Sequence, residues 1–475
     1  MAAVTGDSER RPFGRRSYLA GLTGAVAMLA GCSGGGGDGD GTGTSNAKPS
    51  ETGTVPTDEP PTSDGSPDEP TAEETATPEP EPAEKRPVAR LTPDGDATAF
   101  GSGVAVSDDG ETLVVGVPGI ADGGGVAVFE SSGDGWKRAT VLQSPESSYN
   151  DAVGSSVAVS ADGTTVVVGA PGAGHAGAGA VEFFARGADG WRQQGRLFVS
   201  DGDRDDLLGT AVAVSGDGDL AVAGAPADER DEDEDSAFTA GSTYTFERED
   251  GSWSEVDART PADTGVVNWG SAVAMSAAGD RLLVGASVRG SGGSVHVLDR
   301  DSGGWDRTAT LTAAHDDENG DRFGRSVALA ADGTVAVVGA PWVDIDADDE
   351  VDRGGAAYVF DESSDWSQPA TLQPRDVADE GEVGESVAVT DGGDRVVVGA
   401  SGVRVDGQGS AGEAYAFERA DGEYRHRATF RPDSAQSASY FGSTIDTTGD
   451  GGTLVGSPSR DLDGQRNAGA VFRFD

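Results

Sequence analysis

The chain has 475 residues, and 83 Asp and Glu against 34 Lys and Arg give it a formal net charge of −49. Such a field repels the phosphates of nucleic acids and the headgroups of anionic lipids, so we expect neither as a partner. The acidic excess is spread along the whole sequence. This distribution favours adaptation to concentrated salt, where screening removes the repulsion, over a specific acidic function.

Composition also limits the fold class. Apolar residues make up 36% of the chain, aromatic residues 6%, and there are 74 glycines. This apolar content is low for one large globular core, but it suits many short strands joined by glycine turns. We therefore expect an all-β protein.

The first 32 residues are typical of an export signal. Arg15 and Arg16 begin a twin-arginine motif, and the apolar run Leu19–Ala30 that follows is too short to span a bilayer. The run leads into Leu-Ala-Gly-Cys, which resembles the lipobox of secreted lipoproteins and implies lipidation of Cys32. Together with the acidic composition, this predicts an exported lipoprotein of the haloarchaeal type, held on the outer face of the cytoplasmic membrane only by its lipid.

Cys32 is also the only cysteine in the chain. Disulfides and a catalytic thiol in the mature domain are therefore excluded. Residues 33–86 consist of Gly, Ser, Thr, Pro, Asp and Glu with almost no apolar side chains, a composition that favours a disordered, extended linker.

Seven repeats fill the rest of the chain. Each begins with a short motif that ends in glycine, at Phe100-Gly101, Val153-Gly154, Leu208-Gly209, Trp269-Gly270, Phe323-Gly324, Val383-Gly384 and Phe441-Gly442. A second glycine motif follows at Gly116, Gly169, Gly224, Gly285, Gly339, Gly399 and Gly456. The two glycines are 15 residues apart in six repeats and 14 apart in the last. We call them the first and second anchor glycines.

These paired motifs resemble FG-GAP repeats, the blade unit of the propeller in integrin α chains and in many microbial surface proteins. The resemblance covers residues 87–475 and implies a seven-bladed β-propeller with four-stranded blades. The seventh repeat stops after its third strand, at Asp475. The segment from Val88 to Pro93 resembles strand four of the other repeats, so we expect this N-terminal strand to complete the last blade and close the ring.

In such blades the turns between strands one and two and between strands three and four lie on one face. The other face carries the remaining connections, which hold most of the length variation: residues 200–207, 227–240, 342–354 and 402–411. Variable loops on a rigid scaffold are where binding usually occurs. We therefore expect the functional site on this face.

Ca²⁺ is the only cofactor that the sequence suggests. Asp344, Asp346, Asp348 and Asp352 approximate the spaced carboxylates of a calcium loop, with weaker versions at 201–205 and 317–321. However, Asp349 stands where a glycine would make the sharp turn, and the integrin-type calcium loop lies between strands one and two, where this chain has only short turns. In so acidic a chain, Asp-x-Asp also arises by chance, and we favour that interpretation.

No catalytic set emerges from the sequence, and the four histidines occupy unlike positions in different repeats. We therefore predict a non-enzymatic binding or adhesion scaffold for a protein or glycan at the cell surface, acting as a monomeric propeller. Two alternatives stay open. One is a structural component of the cell envelope. The other is a hydrolase or lyase at the mouth of the propeller channel, which would show converging carboxylates or histidines with unusual pKa values.

Overall fold

The computed structural model describes residues 80–475 except 121–122, 133–134, 229–238, 264, 288–291, 314–320, 345–352, 376–378 and 450. From Pro82 onward these residues form one compact unit. The predicted signal peptide with Arg15 and Arg16, the lipidation residue Cys32 and the predicted linker up to residue 79 lie outside the described residues. Within the described ranges, no helix is long and apolar enough to cross a membrane.

The described residues form seven four-stranded antiparallel sheets arranged as the blades of a ring, which confirms the predicted β-propeller. Two short strands come first, β1 (Ala83–Lys85) and β2 (Ala89–Leu91). Blades 1 to 3 are β3 (Val104–Val106), β4 (Thr112–Gly116), β5 (Val126–Ser132), β6 (Gly135–Leu142); β7 (Val157–Val159), β8 (Thr165–Ala170), β9 (Ala180–Gly187), β10 (Gly190–Leu197); and β11 (Ala211–Val214), β12 (Leu220–Ala225), β13 (Ser242–Glu249), β14 (Ser252–Arg259).

Blades 4 and 5 are β15 (Trp269–Met275), β16 (Arg281–Ala286), β17 (Ser294–Asp301), β18 (Gly304–Leu311); and β19 (Ser326–Leu329), β20 (Val335–Ala340), β21 (Ala356–Asp361), β22 (Ser367–Leu372). Blade 6 contains β23 (Val383–Val389), β24 (Arg395–Ala400), β25 (Glu413–Ala420) and β26 (Glu423–Phe430). Blade 7 contains β27 (Thr444–Thr447), β28 (Thr453–Ser457) and β29 (Ala470–Phe474), with β2 as its fourth strand. The only helical turns in the described ranges are two 3₁₀ turns, His175–Gly177 and Glu362–Ser364.

The hydrophobic core lies between the blades. Seven clusters of buried residues each join one blade to the next, and the last joins Leu454 and Val471 of blade 7 to Phe100 and Val115 of blade 1. Strand two is buried on both faces in blades such as blade 2, where β8 has no exposed residue. Each fully buried Val, Leu or Phe contributes about 1.5–3 kcal/mol to folding. These interfaces are therefore the main source of stability.

The two anchor glycines of a repeat face each other across the hairpin of strands one and two. In blade 1 the amide of Gly101 donates to the carbonyl oxygen of Gly116 at 3.0 Å. The second anchor glycine also touches the next blade, because a Cβ atom on Gly116 would lie 1.9 Å from the carbonyl oxygen of Gly154. Only glycine allows this approach between blades. The constant spacing in the sequence thus reflects a backbone contact repeated around the ring.

Blade 7 joins blade 1 by the same contacts, which confirms that the ring is closed. Strand β2 pairs antiparallel with β29, with Ala89 opposite Arg473 and Leu91 opposite Val471. A Cβ on Gly456 would lie 2.6 Å from the carbonyl oxygen of Gly101. That carbonyl also accepts a hydrogen bond of 2.9 Å from Thr444 Oγ1.

The ordered domain begins earlier than the linker boundary that we placed at residue 86. Residues Ala83–Lys85 form β1, which pairs in parallel with the end of β26 and adds a fifth strand to blade 6. The parallel pairing uses only backbone groups. One side-chain hydrogen bond supports it, from Arg86 Nη1 to the carbonyl oxygen of Pro432 at 2.9 Å. The N-terminal segment therefore spans two blades, 6 and 7.

Candidate functional site

The antiparallel strands divide the connections between two faces of the ring. The hairpin-turn face carries the connections between strands one and two and between strands three and four. In all seven blades the former has five residues, for example 107–111 in blade 1. The variable-loop face carries the other connections, which between strands two and three range from seven residues (287–293) to 16 residues (226–241). All four segments that we predicted to vary lie on this second face.

One of the four predicted calcium ligands can be assessed directly. Asp344 Oδ1 accepts a hydrogen bond of 2.5 Å from the backbone amide of Arg353, across the base of its own loop. Asp346, Asp348 and Asp352 lie outside the described residues. Elsewhere in the described part of the chain, no three His, Cys, Asp or Glu side chains are grouped to hold a metal ion. The interpretation that we favour, that these carboxylates are spaced by chance, stays a prediction.

The 201–205 acidic segment contributes to a carboxylate cluster in blade 3. The Tyr244 hydroxyl donates to Asp228 Oδ2 at 2.9 Å and contacts Asp201 Oδ1 at 3.1 Å. Next to them, burial raises the pKa of Asp206 to about 6, and Asp228 and Asp203 raise it further. Hydrogen bonds from the Tyr244 hydroxyl therefore connect the two loops that carry Asp201 and Asp228.

The histidines follow no shared pattern in the structure either. His296 is buried, with Ser294 Oγ 3.0 Å from its Nε2 atom, and burial lowers its pKa to about 4. Burial also lowers the pKa of His426. His315 lies outside the described residues.

The central channel is lined by strand one of every blade and has a volume of about 300 Å³. One lining position, immediately after the first anchor glycine, carries hydroxyl side chains in five blades and charged side chains in two. The residues are Ser102, Ser155, Thr210, Ser271, Arg325, Glu385 and Ser443. Blades 5 and 6 therefore introduce an ion pair into an otherwise hydroxyl-lined ring.

A second ring lies one turn closer to the variable-loop face, two residues before each first anchor glycine. All seven residues have left-handed backbones, with φ between 51° and 61°, because each begins the tight turn into strand one. In blade 5, for example, the carbonyl of Arg322 accepts from the amide of Arg325 at 3.0 Å. From blade 1 to blade 7 these residues are Ala99, Ala152, Leu207, Asn268, Arg322, Glu382 and Tyr440. Blades 5 and 6 again carry opposite charges.

We call Arg322, Arg325, Trp342, Glu382 and Glu385 the charged sector. Arg325 donates to Glu385 Oε1 from both Nη2, at 2.7 Å, and Nε, at 3.2 Å. The guanidinium carbon of Arg322 lies 3.7 Å from the ring centre of Trp342. The Trp342 side chain in turn hydrogen-bonds Glu382. These contacts join blades 5 and 6, and Arg325 and Glu385 among them line the channel.

The electrostatics of the charged sector differ between its two glutamates. Glu385 raises the pKa of Arg325, as expected for a close ion pair. Burial raises the pKa of Glu382, and the nearby Glu385 adds to this effect. Hydrogen bonds from Ser401 and Trp342 and the charge of Arg322 act in the opposite direction and lower the pKa of Glu382. The sequence analysis did not single out this sector, although an alignment of the seven repeats against one another exposes it.

Comparison with known proteins supports the repeat assignment. Residues 191–246 and 305–360 match the FG-GAP repeat family. Each match runs from strand four of one blade to strand three of the next. The propeller strands follow the same order along the chain, because β2 is a fourth strand and β29 is a third strand. No curated protein matches the chain. FG-GAP repeats within a closed ring of seven blades support an integrin-α-like propeller, an architecture that fits a binding or adhesion scaffold in general.

Proposed function

We propose that the protein is a lipid-anchored binding scaffold of the cell surface, and that its ligand contacts the variable-loop face at the charged sector. The single observation that supports this proposal is that two positions of the repeat, uncharged in five blades, carry charged residues in the adjacent blades 5 and 6. Where the other five blades have Ala, Leu, Asn or Tyr and then Ser or Thr, blade 5 has Arg twice and blade 6 has Glu twice. The other five blades form the same turn and the same first strand with uncharged residues at both positions.

The direction of β1 supports the same face. Strand β1 runs parallel to β26, and β26 runs from the hairpin-turn face to the variable-loop face. The chain therefore enters β1 from the hairpin-turn side. If residues 33–86 tether the domain to Cys32, as the sequence predicts, the tether would join β1 from the side opposite the charged sector.

The fixed geometry of the sector suits recognition. Arg325 and Glu385 have side chains only 19% and 12% exposed, so their donors and acceptors are held in place before a ligand arrives. Both hydrogen bonds of the pair end on Oε1, so Glu385 Oε2 and Arg325 Nη1 are not used within it. Preorganised polar groups bind at a lower entropic cost than mobile ones.

The internal repeats supply a conservative test. The variant Arg322→Ala, Arg325→Ser, Glu382→Ala and Glu385→Ser gives blades 5 and 6 the residues that blades 1 and 2 already have. Its fold should be retained, because those blades fold with the same side chains. We expect the full chain to bind saturably to the envelope fraction of the cells that make it, in multimolar KCl, and the variant to lose most of this binding.

A matched control carries an equal change of charge on the opposite face. The exposed pairs Arg192–Asp189 and Arg425–Glu423 lie beside the turns between strands three and four. Replacing all four residues by Ser should leave envelope binding unchanged. Equal binding by the sector variant and by wild type would contradict the proposed site, whereas equal loss in both variants would indicate a nonspecific charge effect.

A further inference from the structure

A second cavity, of about 500 Å³, lies between blades 7 and 1. Phe100, Val117 and Ala127 form its buried floor, and the segment Pro93–Ala97 that follows β2 forms one wall. Its remaining lining residues include Arg138, which is paired with Asp94. The cavity opens among the loops of the variable-loop face, at a different blade interface from that of blades 5 and 6, and the inference drawn from it does not depend on the charged sector.

The cavity arises from one small residue in strand three. The equivalent position in strand three has a side chain that faces the preceding blade, and it lies two residues before Phe129, Phe184, Phe246, Leu298, Phe360, Phe417 and Phe474. From blade 1 to blade 7 the residues are Ala127, Glu182, Tyr244, His296, Tyr358, Tyr415 and Phe472. Five of the seven are rings, and Ala127 is the only small side chain. The space that a ring fills elsewhere is therefore open in blade 1.

The contacts of these rings show what the space accepts. In blades with an aromatic first anchor, the anchor packs on the strand-three ring. The centroid distances are 4.7 Å for Trp269–His296, 5.6 Å for Phe323–Tyr358 and 5.4 Å for Phe441–Phe472. In blade 1 the ring centroids of Phe100 and Phe129 are 6.0 Å apart. No ring packs on Phe100 from the strand-three position that carries one in those blades, because Ala127 occupies it.

The polar groups of the equivalent positions indicate a hydroxyl on the missing ring. The Tyr244 hydroxyl donates to Asp228, and the Tyr415 hydroxyl donates to Glu413 Oε2 at 2.8 Å. In blade 1, Asp94 and Asp96 place carboxylates at the corresponding cavity. A phenol hydroxyl beside these carboxylates would make a phenol–carboxylate hydrogen bond of the kind seen in blades 3 and 6, although here the carboxylates come from the segment after β2.

We infer that the cavity between blades 7 and 1 binds a single aromatic ring of the phenol class, with the ring against Phe100 and the hydroxyl toward the carboxylates of Asp94 and Asp96. The volume is within the usual range for ligand pockets, about 300–1,000 Å³. Apolar cavities left by a missing side chain also take up small aromatic molecules. The ligand is either a free phenol or the side chain of a tyrosyl residue, which share this chemistry.

The test is a calorimetric titration of the full chain in multimolar KCl with p-cresol and with 4-methylcyclohexanol. The two probes each carry one hydroxyl and are similar in size, but only p-cresol has an aromatic ring and the phenol hydroxyl attached to it. We expect p-cresol to bind about two- to tenfold more tightly, the range that an aromatic pair contributes beyond its buried area. Equal affinity for the two probes, or no binding of p-cresol up to its solubility, would overturn the inference. Binding of N-acetyltyrosinamide would assign the site to a tyrosyl side chain, and its exclusion while p-cresol binds would assign it to a free phenol.

Two variants locate the binding. Ala127→Phe places in blade 1 the ring that Phe472 provides in blade 7, so we expect it to abolish p-cresol binding and to raise the thermal midpoint. Tyr358→Ala opens the equivalent space between blades 4 and 5, and we expect it to add a second p-cresol site. Unchanged binding in both variants would refute this location, and the second variant keeps the test decisive if the first does not fold.

Discussion

Replacing the buried Glu182 by Gln should stabilise the protein at alkaline pH. Glu182 is fully buried in β9, where Arg196 Nη1 lies 3.3 Å from its Oε1 atom. Arg196 also pairs with Asp151 Oδ2 at 2.5 Å. Burial raises the pKa of Glu182 from 4.5 to about 7, and this effect exceeds the lowering by Arg196. The ionised form of Glu182 therefore destabilises the folded state.

The sign and the pH window follow from proton linkage. Between pH 4.5 and about 7 the native state holds this proton more tightly than the unfolded chain does, so stability falls as pH rises through that interval. The difference between the two pKa values corresponds to an upper bound of about 3 kcal/mol. Glu182→Gln removes the charge with nearly the same volume. It should be about as stable as wild type at pH 4.5 and more stable by up to about 3 kcal/mol at pH 8.

Unfolding by guanidinium chloride at pH 4.5 and pH 8, with intrinsic tryptophan fluorescence as the readout, measures this difference. Glu130→Gln, at a half-exposed ion pair with Arg186, provides the control and should change stability little at either pH. A Glu182→Gln protein that is less stable than wild type at pH 8 would refute the reasoning. That result would mean that the ion pair with Arg196 outweighs the burial of the carboxylate.

Three further predictions concern the ring and its loops. Gly116→Ala should lower the thermal midpoint strongly, because its Cβ would lie 1.9 Å from the next blade, whereas Gly187→Ala, with its nearest atom at 3.9 Å, should have little effect. Thr444→Val removes the hydrogen bond to the carbonyl of Gly101 and should cost about 1 kcal/mol in chemical denaturation, and an unchanged midpoint would argue against a closing role. Ca²⁺ should leave the thermal midpoint unchanged in multimolar KCl, and an increase that Asp344→Ala abolishes would show that the loop binds calcium.

The sequence predicts the architecture because the repeat is fixed by the backbone. Gly116 and its equivalents recur since a side chain there would collide with the next blade. The closing strand β2 could be predicted because Leu91 continues the pattern of strand four. Strand β1 could not, since Ala83–Lys85 pairs through backbone groups and has no apolar alternation to reveal it.

The candidate sites were less visible from the sequence. Arg322 and Glu382 do not form a motif in sequence, because their proximity depends on adjacent blades of a closed ring. The cavity at Ala127 is marked by a missing side chain, which stands out only when the seven strands are aligned by structure. The partner of Glu182, which is Arg196 on the next strand, also depends on the pairing of β9 with β10.

The most direct test of the proposed function is hydrogen–deuterium exchange of the full chain, free and bound to the envelope fraction, in multimolar KCl. Binding through the variable-loop face predicts slower exchange in peptides that contain residues 322–325 and 382–385. Peptides that contain the turns at 188–189 and 421–422, on the hairpin-turn face, should exchange at an unchanged rate. Protection of the hairpin-turn peptides with no protection at 322–325 and 382–385 would contradict the proposal.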